Sequence, residues 1–168
     1  LIKLFRPQDV RGYAFGIGDA SIEHAIIHAL LDRKLIPRVK TQGDKLMAAL
    51  HAQFGQHPNI GDIRGRGLFI GVELVRDRET KEPFEPERRL NARIKAAAFE
   101  NGLICYPMQG VADGRAGDHV LIAPPFIVSE DEIGLIVDRL AAALDHLRDL
   151  VALPFGGRFY LDPPRIPG

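Results

Sequence analysis

Ile133, Ile136, Val137, Leu140, Leu144 and Leu147 follow one another at steps of three and four, and this spacing constrains the fold more than any other feature of the chain. Such steps place all six on one side of a helix. The stripe runs for about four turns, too far to be left in water, so a second layer has to cover it. Its start is also marked. Ser129 and Glu132 form the S-x-x-E pattern of a capping box, and Glu130 and Asp131 set negative charge beside the positive end of the helix.

The covering layer is read from a different period. In "LFIGVELV", Ile70, Val72 and Leu74 alternate with Phe69, Gly71 and Glu73, as a strand with one buried face requires. The preceding "DIRGRG" predicts an adjoining strand or bend, with Gly65 and Gly67 supplying backbone freedom. "GLICYP" and "HVLIA" predict two further short strands, the second ended by Pro124 and Pro125.

Three more helices complete the order. One runs from Ser21 with Ile22, Ala25, Ile26, Ala29 and Leu30 on a shared face, and Pro37 stops it. The next, from about Arg38 to Phe54, buries Val39, Leu46, Leu50 and Phe54. The third, from about Glu87 to Asn101, turns Leu90, Ile94, Ala97 and Ala98 inward and Arg88, Arg89, Arg93 and Lys95 outward, with Gly102 as its cap. The expected fold is α+β: two layers, a short, mostly antiparallel sheet covered by helices. Residues 1–20 show no sustained period, and the Pro- and Gly-rich stretch after Leu150 predicts an irregular tail.

With 168 residues, 46% of them hydrophobic, the chain is long enough for a domain core. Lys and Arg balance Asp and Glu at 22 each and are interspersed, so no basic face invites nucleic acid. The longest apolar runs fall short of a membrane span, and a cytoplasmic protein is expected. Cys105 is the single cysteine; it cannot form an internal disulfide, and in an apolar run it reads as a small buried residue rather than a nucleophile. The first residue is leucine rather than methionine, as in a piece of something longer.

Candidate chemistry narrows quickly. Glu23, His24 and His28 have the two-histidine helical spacing of a metal pair, but Ala25, Ile26 and Ile27 stand where a zinc protease carries its glutamate, and no third ligand is in view. One "RGRG" beside an apolar strand reads as a turn rather than an RNA-binding tract, and "GIGDAS" lacks the spacing and lysine of a phosphate loop. None of Lys3, Lys34, Lys40, Lys45, Lys81 and Lys95 sits in an apolar setting that would make it a catalytic amine. Arg115 is different. It lies among Gly110, Gly114 and Gly117, in a loop these glycines are expected to make mobile, where its fixed charge can swing to a carboxylate.

Three stretches taken together, "IGDIRGRGLFIGVELVRDRETKEPF", "RIKAAAFENGLICYP" and "GDHVLIAPPFIVSEDEIGLIVDRLAAAL", resemble the C-terminal small domain of class III aminotransferases, in the same order, over about Val39 to Leu147. The resemblance implies a pyridoxal 5'-phosphate enzyme of fold type I. Such enzymes are usually homodimers with the active site at the dimer interface, and they move an amino group from an amine or amino acid to a keto acid such as pyruvate. It also implies that the lysine holding the cofactor and the aspartate on its ring nitrogen belong to a large domain, so this chain supplies no catalytic or cofactor-binding residue and is not expected to act alone. Family members acting on ornithine or 4-aminobutyrate-like substrates carry arginine three residues before the double proline. Here Leu121 stands there, which resembles the amine:pyruvate or ω-amino acid group. In that group an arginine just before "GDH" binds or vacates a substrate carboxylate, and Arg115 is the matching candidate, expected to lie beside the Pro124–Pro125 turn. The stretch "RGYAFGIGDASIEHAIIHALLDRK" departs from the family and lacks its phosphate-gripping threonine. The expected division is 1–37 as a divergent N-terminal segment with one helix, 38–150 as the small domain and 151–168 as a tail. A stand-alone carboxylate-binding or interaction module, or a non-functional remnant, are the alternatives.

Overall fold

The alternation around Phe69 organises the sheet. A computed structural model of the chain describes residues 20–111 and 113–152, with side chains described over 26–111 and 113–145. Strand β1 (Ile60–Arg66) leads through a two-residue turn into β2 (Phe69–Leu74), and β3 (Tyr106–Gln109) and β4 (Asp118–Ile122) follow. All pairings are antiparallel in the order β1-β2-β4-β3. In register, Ile63 faces Val72, Val72 faces Val120, and Val120 faces Pro107, so the inward residues of all four strands form one apolar surface.

Helices α2 (Leu35–Phe54), α3 (Leu90–Glu100) and α4 (Glu130–Ala152) cover that surface, and α1 (Ala20–Asp32) packs on α2. Leu46, Leu50 and Phe54 of α2, Leu90, Ile94 and Ala98 of α3, and Ile133, Ile136, Val137, Leu140 and Leu144 of α4 join the strands in a single core. The fold is therefore α+β, a short antiparallel sheet with helices on one face. The side chain of Leu147, the last member of the stripe, lies outside those described, as do residues 1–19 and 153–168.

Close packing sets the glycines. The β1–β2 turn places Gly67 at φ 57, and a Cβ on Gly43 of α2 would lie 2.3 Å from the Gly67 carbonyl carbon. Helix and turn thus meet backbone to backbone, which no side chain would permit. On the same helix, the side chains of Arg38 and Gln42 both donate to the Val128 carbonyl, at 2.7 and 2.9 Å, and Lys45 pairs with Glu130. The start of α4 is held there. The capping box is formed as expected: the Ser129 N–H donates to Glu132 Oε2 at 2.8 Å and the Glu132 N–H to Ser129 Oγ at 3.2 Å.

Three boundaries differ from the expectation. Pro37 does not stop a helix; it lies in the first turn of α2, where its missing N–H has no partner to lose. The break falls at Arg33 and Lys34, the latter left-handed at φ 49. The third helix begins as a 3-10 turn, Pro86–Arg88, before α3 starts at Leu90, and Arg88 and Arg93 are half-buried rather than solvent-facing. The third strand starts at Tyr106, after Leu103–Cys105. Gly102 caps α3 at φ 76, and the Leu103 N–H is spent on the Ala98 carbonyl at 2.7 Å while that of Gly102 goes to Phe99 at 2.9 Å. This is the Schellman closure of a helix, and the chain leaves it before it can enter a ladder.

Candidate functional site

The β3–β4 loop carries Arg115 and is built by hydrogen bonds. Gly110, Gly114 and Gly117 sit at φ 90, 81 and 86, angles that favour glycine. The Gly117 carbonyl accepts from the N–H groups of Gly110 at 2.8 Å and Val111 at 3.3 Å, which closes the base of the loop. Asp113 Oδ1 accepts from the N–H groups of Ala116 at 2.6 Å and Arg115 at 2.8 Å. Those two donors, Ala116 first, hold the Asp113 carboxyl below the usual range. Gln109 Nε2 donates to the carbonyls of Pro86 at 3.0 Å and Arg115 at 3.3 Å. The three glycines supply the turn angles of this hydrogen-bonded loop. The Arg115 side chain itself is exposed and makes no salt bridge among the described residues.

Arg115 leaves the loop at the Asp118 end of β4, whereas the Pro124–Pro125 turn follows the Ile122 end. The strand alone separates them by about 13 Å, so the turn is not beside Arg115 as the sequence suggested. Leu121 lies between Gly71 and Tyr106 on the sheet face opposite the helices. On the same face Arg64 bonds Asp62 at 2.8 Å and lies 3.7 Å from Glu73, which pairs in register with His119. Burial, reinforced by the Arg64 charge, holds His119 below its ordinary pKa.

Asp118 points the other way. It is 2% exposed, on the inward phase with Val120 and Ile122. Burial pushes its carboxyl up to about 6, offset in part by the N–H of Asn91 in the first turn of α3. Its Oδ1 has no hydrogen-bond partner. Sequence reasoning noted this residue only as part of "GDH"; the period of two through Val120 and Ile122 was the signal that it is buried.

An apolar cleft of about 960 Å³ opens among α1, α2, α4 and the Pro124–Phe126 turn, with Ile26, Leu35, Cys105, Phe126 and Leu135 in its lining. Burial raises the Cys105 thiol to about 11, in keeping with a packing role. Pyridoxal phosphate needs a lysine within a pocket, and none of the described lysines lies in this one. Lys34, Lys40, Lys45, Lys81 and Lys95 are all exposed, none lines this cleft, and three of them are engaged by Asp44, Glu130 and the Gly61 carbonyl. Lys3, and the side chains of Glu23 and His24, lie outside the described residues. "RGRG" ends β1 and starts the tight turn, as expected. Among the described residues no group of three His, Cys, Asp or Glu is placed to hold a metal, and no helix is long and apolar enough to cross a membrane.

Comparison with known proteins gives this geometry a class, the aminotransferases. An uncharacterized aminotransferase of Schizosaccharomyces pombe is 43% identical over 110 residues, 66% of this chain and 24% of the relative. The taurine–pyruvate aminotransferase of Bilophila wadsworthia is 33% identical over 132 residues, 79% of this chain and 27% of the relative. A solved structure of a mutant aminotransferase from Vibrio fluvialis with pyridoxal phosphate bound superposes at a TM-score of 0.69 with 30% identity, covering 79% of this chain and 27% of that one. The family described as aminotransferase class-III matches residues 14–144, most of the chain, and the chain belongs to that family. It spans about a quarter of the length of the curated relatives it matches.

Proposed function

We propose that this chain is the small-domain quarter of an ω-type class III aminotransferase, which moves an amino group from an amine or ω-amino acid to pyruvate or another keto acid. The lysine that holds pyridoxal phosphate lies on the part this chain does not include, so the chain alone does not transaminate. Arg115 binds the substrate carboxylate, and Leu121, where other members carry arginine, leaves that task to it. The whole enzyme is a cytoplasmic homodimer. Residues 38–150 form the small domain, preceded by a divergent segment and followed by a tail.

The observation that carries the reading is Arg115 itself: an exposed guanidinium that makes no salt bridge among the described residues, its charge felt by the exposed Asp113 carboxylate, presented from a bonded loop just ahead of β4. A planar fork of this kind pairs with a carboxylate through two parallel hydrogen bonds. The absence of a pocketed lysine among the described residues supports the second half, and the relative that acts between taurine and pyruvate supports the donor and acceptor classes. The test is to incubate the purified chain with pyridoxal phosphate, reduce with borohydride and map the peptides. No single lysine is expected to be labelled stoichiometrically and no amine:pyruvate turnover is expected; a stoichiometric adduct with turnover overturns the reading.

A further inference from the structure

We propose that Gln109 is the positioning residue of the Arg115 carboxylate site: its amide ties the Arg115 carbonyl to the Pro86 turn, so the guanidinium swings from a fixed backbone. This rests on Arg115 as the carboxylate ligand. The side-chain amide of Gln109 has two N–H donors, and both are spent on carbonyls from separate segments, Pro86 at 3.0 Å in the 3-10 turn and Arg115 at 3.3 Å in the loop. Glutamate at this position offers acceptors only, and leucine neither donor nor acceptor. The peptide groups on both sides of the Arg115 Cα are therefore restrained, the N–H by Asp113 and the carbonyl by Gln109, while the Gly110–Gly117 clasp closes the loop beneath them.

A ligand carboxylate bound by such an arginine requires only side-chain rotamers to be ordered, not a loop. Immobilising the side chain opposes binding, and ordering several backbone residues as well opposes it further. Gln109 removes the second cost before the ligand arrives.

The test uses the 168-residue chain and pyruvate, followed by NMR at the Arg115 Nε–Hε group, with heteronuclear NOE at the Arg115 and Ala116 amides and a urea midpoint for each variant. Gln109→Leu and Gln109→Glu are each expected to weaken pyruvate binding at least fivefold and to lower the two amide NOE values, with the midpoint unchanged. A variant that keeps wild-type affinity and wild-type amide order overturns the proposal, as does a midpoint that falls in both variants, which makes Gln109 a residue of the fold. Pyruvate binding that is absent from the wild type, or unchanged in Arg115→Leu, removes Arg115 as the ligand and with it the site. The amide NOE values then still show whether Gln109 pins the loop, which separates the two failures.

Discussion

Burying Asp118 makes the stability of this domain fall as pH rises, and the size of the fall follows from its pKa. The carboxyl goes from an ordinary 3.8 to about 6 on folding. Between those values the folded state binds more protons than the unfolded one, so the slope of unfolding free energy against pH is negative there. Stability is highest below 3.8 as far as this group is concerned, declines through the interval and levels off above about 6. At about 1.4 kcal/mol per pH unit the total is roughly 3 kcal/mol, a large share of the 5–15 kcal/mol that typically separates folded from unfolded. Two other effects act with the opposite sign. His119 is depressed and loses stability as pH falls, and Asp62, Glu85 and Glu130, held down by Arg64, backbone and lysine partners, do so at lower pH. A difference between wild type and Asp118→Asn cancels them. The asparagine keeps an acceptor for the Asn91 N–H and removes the buried charge. Urea unfolding followed by circular dichroism from pH 4.5 to 8 is expected to show the variant gaining on wild type by about 2 kcal/mol, most of it before pH 7. A flat difference across that range refutes the burial argument.

Three further outcomes check the framework. Ser129→Ala removes half of the capping box at the start of α4 and is expected to cost about 1 kcal/mol in urea unfolding; no loss means that α4 is set by tertiary contacts alone. Gly43→Ala drives a Cβ to 2.3 Å from the Gly67 carbonyl carbon and is expected to cost at least about 1–3 kcal/mol, while Gly134→Ala, with nothing within 4 Å of the new Cβ, is expected to leave stability equal or higher. Cys105, raised from 9.0 to about 11, is expected at pH 8 to react with a disulfide reagent about 100-fold more slowly in the folded chain than in urea; equal rates refute its burial.

What could be read in advance is what local chemistry decides. The α4 capping box is a matter of residues three apart, and the alternation in β2 places Ile70, Val72 and Leu74 inside whatever the neighbours are. Pro37 was misread because a proline suits the first turn of a helix as well as the residue after its end. The deciding fact, the left-handed Lys34, has no sequence signature. Leu103–Cys105 was misread as strand because an apolar run looks the same whether it joins a ladder or completes a helix closure. The Leu103 N–H is taken by Ala98, and that settles which.

The site divides along the same line. Arg115 was singled out by the glycines around it and by a resemblance, but its surroundings depend on bonds that join distant segments. Gln109 reaches Pro86, 23 positions earlier, and no pattern in the sequence links the two. Asp118 was within reach, since the phase of β4 puts it inside. What the phase cannot give is its one backbone partner, Asn91, at a helix start on another element. The separation of Arg115 from the Pro124–Pro125 turn follows from the same strand: five residues of β4 stand between them, so adjacency in the quoted motif is distance in the fold. On the proposed reading, a ligand that meets both Arg115 and Leu121 lies along β4 rather than against the turn.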